Sequence, residues 1–226
     1  MIPTFIRRLC AVPLVTVLAV LPLAGCSSGG GDKPTEPEVP VAPVANSPTN
    51  AVRLLEWCWD HRDAAKYREV FTNDYQYDFA PSDSQNVSTT LDRDEELQIA
   101  TSLFTAAQSV VMELDPTLSV QNDSRPGKNA RYHKEIVSSV RLSVNQSGAN
   151  DYSTAGSARF FLTRGDSAQI PAELLGHGFT ADSTHWYVDR WSDASAACDP
   201  GKVCVTVGRI KLAFASGPVG PRRAGN

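Results

Sequence analysis

Most of the signatures by which a sequence declares its chemistry are missing here. The chain holds no glycine loop built to cradle phosphate, no serine on a nucleophile elbow and no cysteine–histidine nucleophile arrangement. Its four histidines, His61, His133, His177 and His185, are scattered, and no second cysteine or histidine pair stands at ligand spacing to join Cys58 and His61. Neither a metal nor a cofactor is therefore expected. Positive charge is also in short supply, with 21 lysines and arginines against 25 acidic residues and a net charge of −4. That balance excludes nucleic acid as a partner and excludes adhesion to an anionic membrane by charge. Long apolar runs are missing except for one at the very start.

That run, Leu9 to Leu21, follows Arg7-Arg8 and is too short to span a bilayer. It has the length of a signal-peptide core, with Pro13 and Pro22 interrupting it and polar Ser27-Ser28-Gly29 following at once. Between them stands Leu23-Ala24-Gly25-Cys26, which resembles the lipobox of bacterial lipoproteins. The resemblance implies that residues 1–25 are removed and that Cys26 becomes the first, lipidated residue of an exported protein. In a Gram-negative host, Ser27 after that cysteine implies the outer membrane. Loss of Arg7 and Arg8 takes the mature charge from −4 to −6, so attachment falls to acyl chains rather than to charge.

Residues 26–46 read as a tether. Pro34, Pro37, Pro40 and Pro43 recur at every third position, a spacing that favours an extended polyproline-like rod. Of the five cysteines, Cys58, Cys198 and Cys204 belong to the body. Export permits disulfides, and the Pro200-Gly201 turn between Cys198 and Cys204 predicts that these two pair and leave Cys58 a free, buried thiol.

Helical signals come first in the body. Ser47-Pro48 caps a helix whose apolar face is Ala51, Leu54, Leu55 and Cys58. Asp63 starts a short second helix carrying Tyr67, and Thr72-Asn73-Asp74 reads as a break. Tyr75, Tyr77 and Phe79 then share one face of a strand. Asp92 caps a third helix, with Glu95 completing a capping box. After it the period falls to two. A strand over Val110–Val120 bends at Asp115-Pro116, Asn122–Arg131 is a polar loop, and strands follow over Ile136–Val144, Gly156–Leu162 and Trp186–Trp191. A helical turn is predicted over Pro171–Leu175. Val203, Val205 and Val207 alternate, which predicts a last strand over 203–214, and residues 216–226 read as a polar tail.

Helices followed by hairpin-joined strands predict an α+β domain over 47–215, its helices packed on one face of a curved antiparallel sheet. The order of elements, the acidic turn Arg93-Asp94-Glu95-Glu96 and the run Trp186-Tyr187-Val188-Asp189-Arg190-Trp191 resemble the nuclear transport factor 2-like (SnoaL-like, cystatin-like) superfamily. Residues 50–57, 67–72 and 164–168 are similar to those of bacterial lipoproteins of that fold. The resemblance implies a cone whose sheet curls around a cavity. It also implies two lines of function: binding of a small apolar ligand or envelope partner without catalysis, or isomerase or dehydratase chemistry by a polar pair in the cavity. A purely structural envelope protein is a third, and a homodimer is among the arrangements such a domain takes.

The candidate acids and bases are Asp189 and Tyr187, on one face of their strand, and Tyr75 and Tyr77, expected to face them from the first strand. Each has a plainer reading, as a core tyrosine with a polar tip or as an aspartate paired with a neighbouring cation. His61 and His177 sit where the chain turns. Arg164-Gly165-Asp166 spells an adhesion motif, but a tight turn after Phe160-Phe161-Leu162 accounts for it.

Overall fold

A computed structural model describes residues 40–83, 90–147, 151–166, 182–195 and 203–215, the last segment at 203–204 as backbone only. Cys26, Cys198, His177, the turn expected over 171–175, the tail and the disulfide pairing with Cys204 lie outside the described residues.

The helices form where their caps allow. In α1, Pro48–His61, the Ser47 hydroxyl accepts from the Asn50 amide at 3.1 Å and the buried stripe is Ala51, Val52, Leu54, Leu55, Cys58 and Trp59. Arg62 closes it in the left-handed region at φ 52°, its guanidinium donating to the Ala107 carbonyl at 2.7 Å. Asp63 caps the single turn α2, Ala64–Tyr67. In α3, Arg93–Ala106, Asp92 and Glu95 form the expected capping box, at 3.0 Å in each direction.

The strands are β1 (Phe71–Asp78), β2 (Thr90–Asp92), β3 (Ser109–Leu114), β4 (Ser119–Asn122), β5 (His133–Asn145), β6 (Tyr152–Arg164), β7 (Trp186–Asp193) and β8 (Val203–Cys204). They form one sheet in the order β2-β1-β7-β6-β5-β3, with β4 beside β5 and β8 beside β6. Most joints are antiparallel; β1–β7 and β8–β6 are parallel. The helices cover one face of this curved sheet, giving the α+β architecture expected from the sequence. Among the described residues no helix is long and apolar enough to cross a membrane.

Three local expectations change. Thr72-Asn73-Asp74 does not end an element but lies within β1, where the pairing with β7 slips between Phe71 and Gln76. The strand over 110–120 is two strands, β3 and β4, which pair with different parts of β5. The bend between them is pinned by Asp115, whose carboxylate accepts from the Ser139 amide at 2.7 Å, while Arg53 donates to the Pro116 carbonyl at 3.0 Å.

The third change matters most. Only Val203–Cys204 continues as a strand; Val207–Ala213 is a helix, α4. Thr206 caps it, accepting from the Arg209 amide at 3.1 Å, and Val207, Ile210, Lys211 and Phe214 turn inward at helical spacing. The charge of Lys211 in the middle of that stripe conceals the period from a reading that counts only apolar residues.

The core between helices and sheet is aromatic. Trp59 meets Phe104, Tyr67 and Trp191 edge to face, with ring centroids 5.5, 6.1 and 6.2 Å away. Cys58 is free and buried there, and burial pushes its thiol up to about 12.

Candidate functional site

Two polar groupings stand out, one inside the domain and one on the far face of the sheet. The inner grouping centres on α4. Lys211 Nζ lies 2.8 Å from both carboxylate oxygens of Glu96, and each side chain is only 1 % exposed. The Tyr67 hydroxyl donates to the same carboxylate at 2.6 Å. Aromatic faces close around the ammonium, with Tyr77 at 3.6 Å, Trp191 at 4.0 Å and Trp59 at 5.9 Å from the ring centroids. Burial lowers the proton affinity of Lys211, and Glu96 and then Asp193 oppose it. Burial also raises Tyr67 and Tyr77 well above the ordinary phenol value, with Glu96 and Asp193 respectively adding to it.

Asp193 ties the start of α4 to β7. Its carboxylate accepts from the Tyr77 hydroxyl at 2.9 Å, from the Gly208 amide at 3.1 Å and from the Ser195 amide and hydroxyl at 2.8 and 2.6 Å. Ser195 Oγ in turn accepts from the Val207 amide at 2.9 Å. At the other side of α4, Asp83 receives Arg209 at 3.1 Å and also the Thr206 hydroxyl. The first turn of α4 is therefore tied to β7 and to the segment after β1. Gly208 permits the approach, since a Cβ there would lie 2.4 Å from Phe79 Cδ1.

The outer grouping holds Asp189. The register between β6 and β7 shifts between Phe161 and Leu162, and opposite that shift Asp189 falls between Val188 and Arg190. With Val188 and Trp191 both in the core, Asp189 turns to the face away from the helices. Arg125, from the loop before β5, donates to both oxygens of Asp189 at 2.8 and 2.9 Å and to Asp123 at 2.6 Å, with its guanidinium 4.2 Å above Phe161. The Thr163 hydroxyl also donates to Asp189, at 2.7 Å. Since that hydroxyl has spent its proton, the His133 Nδ1, 3.1 Å away, is the donor to it. Burial and then Lys128 hold His133 below its ordinary value, which favours the neutral ring.

Asp123, His133 and Asp189 thus bring three potential ligand atoms within 4.8 Å of one another, a gathering that their distance in sequence hides. Arg125 already stands on both carboxylates, with Lys128 Nζ 3.6 Å from Asp189. Burial lowers the proton affinity of Arg125, but its hydrogen bonds to Asp123 and Asp189 outweigh that and raise it above its ordinary value. The cluster supplies its own cation.

The four residues expected to act together are therefore separated. Tyr75 and Tyr77 lie in the core, Tyr75 with its hydroxyl unpartnered among the described residues and Tyr77 bonded to Asp193. Asp189 belongs to the Arg125 cluster on the face away from these two tyrosines, and Tyr187, opposite Thr163 and outside the core cluster, shares that outer face but packs on His185 with centroids 4.4 Å apart. The slipped register sends Asp189 outward, away from Trp191. His61 stacks on Trp57 at 4.1 Å, on the outside of α1. Of the interior groups that matter, sequence reading missed Glu96, Lys211 and Asp193. A lysine at position four of an i, i+3, i+4, i+7 stripe is the signal that could have marked Lys211.

Asp189→Asn tests the structural role of the outer cluster. It keeps the size but removes the charge that faces Arg125, and the expected loss is about 1–2 kcal/mol of stability, read by calorimetry. An unchanged melting temperature would return Asp189 to the list of catalytic candidates.

No family model and no curated protein matches the sequence. Among solved structures the chain is similar to a nuclear transport factor 2-like superfamily protein from Salmonella enterica serovar Typhimurium, at 9% identity and TM-score 0.45, covering 69% of this chain and 91% of that one. It is also similar to a putative scytalone dehydratase from Novosphingobium aromaticivorans, at 10% identity and TM-score 0.47, covering 71% and 91%. A protein from Kribbella flavida aligns at 12% identity and TM-score 0.49, covering 73% and 93%. The likeness is one of architecture. No activity passes with it.

Proposed function

We propose that this chain is an exported lipoprotein, held on the membrane by acyl chains on Cys26, whose folded domain is non-catalytic and acts through its outer surface on an envelope partner. One observation carries the non-catalytic part: the space between helices and sheet is occupied by Lys211, neutralised by Glu96 and walled by Tyr77, Trp191 and Trp59. An isomerase or dehydratase needs an acid and a base within reach of a substrate. Here the polar pair spends its charges on itself, and both members are 1 % exposed. The same filling speaks against a small apolar ligand held in the interior and leaves the surface as the working part.

The test is a thermal-shift titration of the full chain with a series of apolar small molecules of graded size, steroid-like and aromatic. No saturable rise in melting temperature is expected. A saturable rise, or turnover of any member of the series, would overturn the reading in favour of an interior ligand or a reaction.

A further inference from the structure

Among the described residues, the groups in contact with the Lys211 ammonium come from elements other than α4. Glu96 stands on α3, Tyr67 on α2, Trp59 on α1, Tyr77 on β1, and Trp191 and Asp193 on β7. A carboxylate oriented by a tyrosine hydroxyl, with three aromatic faces around it, is the chemistry that recognises a compact cation carrying N–H donors. Apolar packing alone would not need it, because an ion pair this deep seldom gains over hydrophobic residues of the same volume. The indole N–H of Trp191 is buried in the same wall with no hydrogen-bond partner among the described residues, a polar atom that apolar filling leaves unused.

We infer that the interior of this domain is a binding site for a primary alkylammonium, occupied in cis by Lys211, so that α4 is a plug bearing its own ligand. The inference goes beyond the functional reading, which requires only that the interior be closed. It predicts that the site survives removal of the lysine and accepts the missing fragment from solution. Lys211→Ala deletes a propylammonium group, and that defines the probe.

In the full chain, Lys211→Ala is expected to bind propylammonium chloride at least about tenfold more tightly than the wild type does, with a matching recovery of melting temperature. Propan-1-ol, which has the length without the charge, should not bind. Neither should propylammonium bind the double variant Lys211→Ala/Glu96→Gln. Should Lys211→Ala alone fail to fold, refolding it with propylammonium present should restore the near-ultraviolet circular dichroism of the native aromatic core. Lys211→Met provides the second control, since it fills the space with an uncharged chain and should ignore the probe. Equal response to propan-1-ol, equal binding by the wild type or the double variant, or no binding and no rescue at all would overturn the proposal. Each of these outcomes leaves the surface reading of function intact, whereas a hit in the apolar series would sink that reading and not this one.

Discussion

Replacing Glu96 by leucine is expected to destabilise the protein by about 3–5 kcal/mol, the cost of stranding one charge of a buried pair. Lys211 Nζ would lose both carboxylate contacts at 2.8 Å, and the Tyr67 hydroxyl would lose its acceptor at 2.6 Å. Neither group is open to bulk solvent, since Tyr67 and Lys211 are at most 1 % exposed. For a domain of this size the loss corresponds to a fall in melting temperature of roughly 10 °C. Lys211→Met should cost less, because Glu96 keeps the Tyr67 donor and the methionine chain fills most of the space the lysine occupied. The double variant Glu96→Leu/Lys211→Met should recover most of the loss, because the two residues form one electrostatic unit and their effects do not add. Calorimetry on the four proteins decides it. Additive single losses, or a Glu96→Leu variant within about 1 kcal/mol of the wild type, would show that the pair is not coupled.

Cys26→Ser is expected to abolish attachment to the membrane and leave an unprocessed precursor. The thiol is the acylation site in the lipoproteins that Leu23-Ala24-Gly25-Cys26 resembles, and a serine hydroxyl does not replace it. Each methylene buried in the bilayer contributes about 0.8 kcal/mol, so losing the acyl chains removes the whole anchor rather than part of it. The mature charge of −6, −4 less Arg7 and Arg8, offers no compensating attraction to anionic lipid. Metabolic labelling with a fatty acid, followed by fractionation, reads the outcome. Equal label in the wild type and the variant would sink the anchoring proposal.

How much of the fold was legible depended on how local its cause was. Ser47, Asp63 and Asp92 cap their helices through side-chain contacts within three residues, and all three starts were readable. The inward faces of β5 and β6, Ile136, Val140, Leu142 and Val144 with Ala158, Phe160 and Leu162, follow from simple alternation and are all buried. Where alternation slips, the reading slips with it. The irregular pairings of β7 with β1 and β6 carry Asp189 to one face and Trp191 to the other, and no residue type in that run announces the slip.

The C-terminal segment shows the same limit from the other side. Val203, Val205 and Val207 satisfy a strand, and Val207, Ile210, Lys211 and Phe214 satisfy a helix. The choice between them was made by Asp193 and Ser195, which receive the first amides of α4, and by Glu96, which receives its lysine. Those partners lie 12 to 115 residues away in the chain.

The sequence by itself determined the class of the fold, the caps, the core faces of the regular strands and the expectation of an exported, lipidated chain. Each of these is set by neighbours within a few residues or by composition. Only the tertiary structure decided that Tyr75 and Tyr77 are separated from Asp189, that Arg125 occupies the acidic cluster and that Lys211 fills the interior. The reason is physical: a buried charge is stable only beside its counter-charge, and which counter-charge it meets is a property of the folded chain alone.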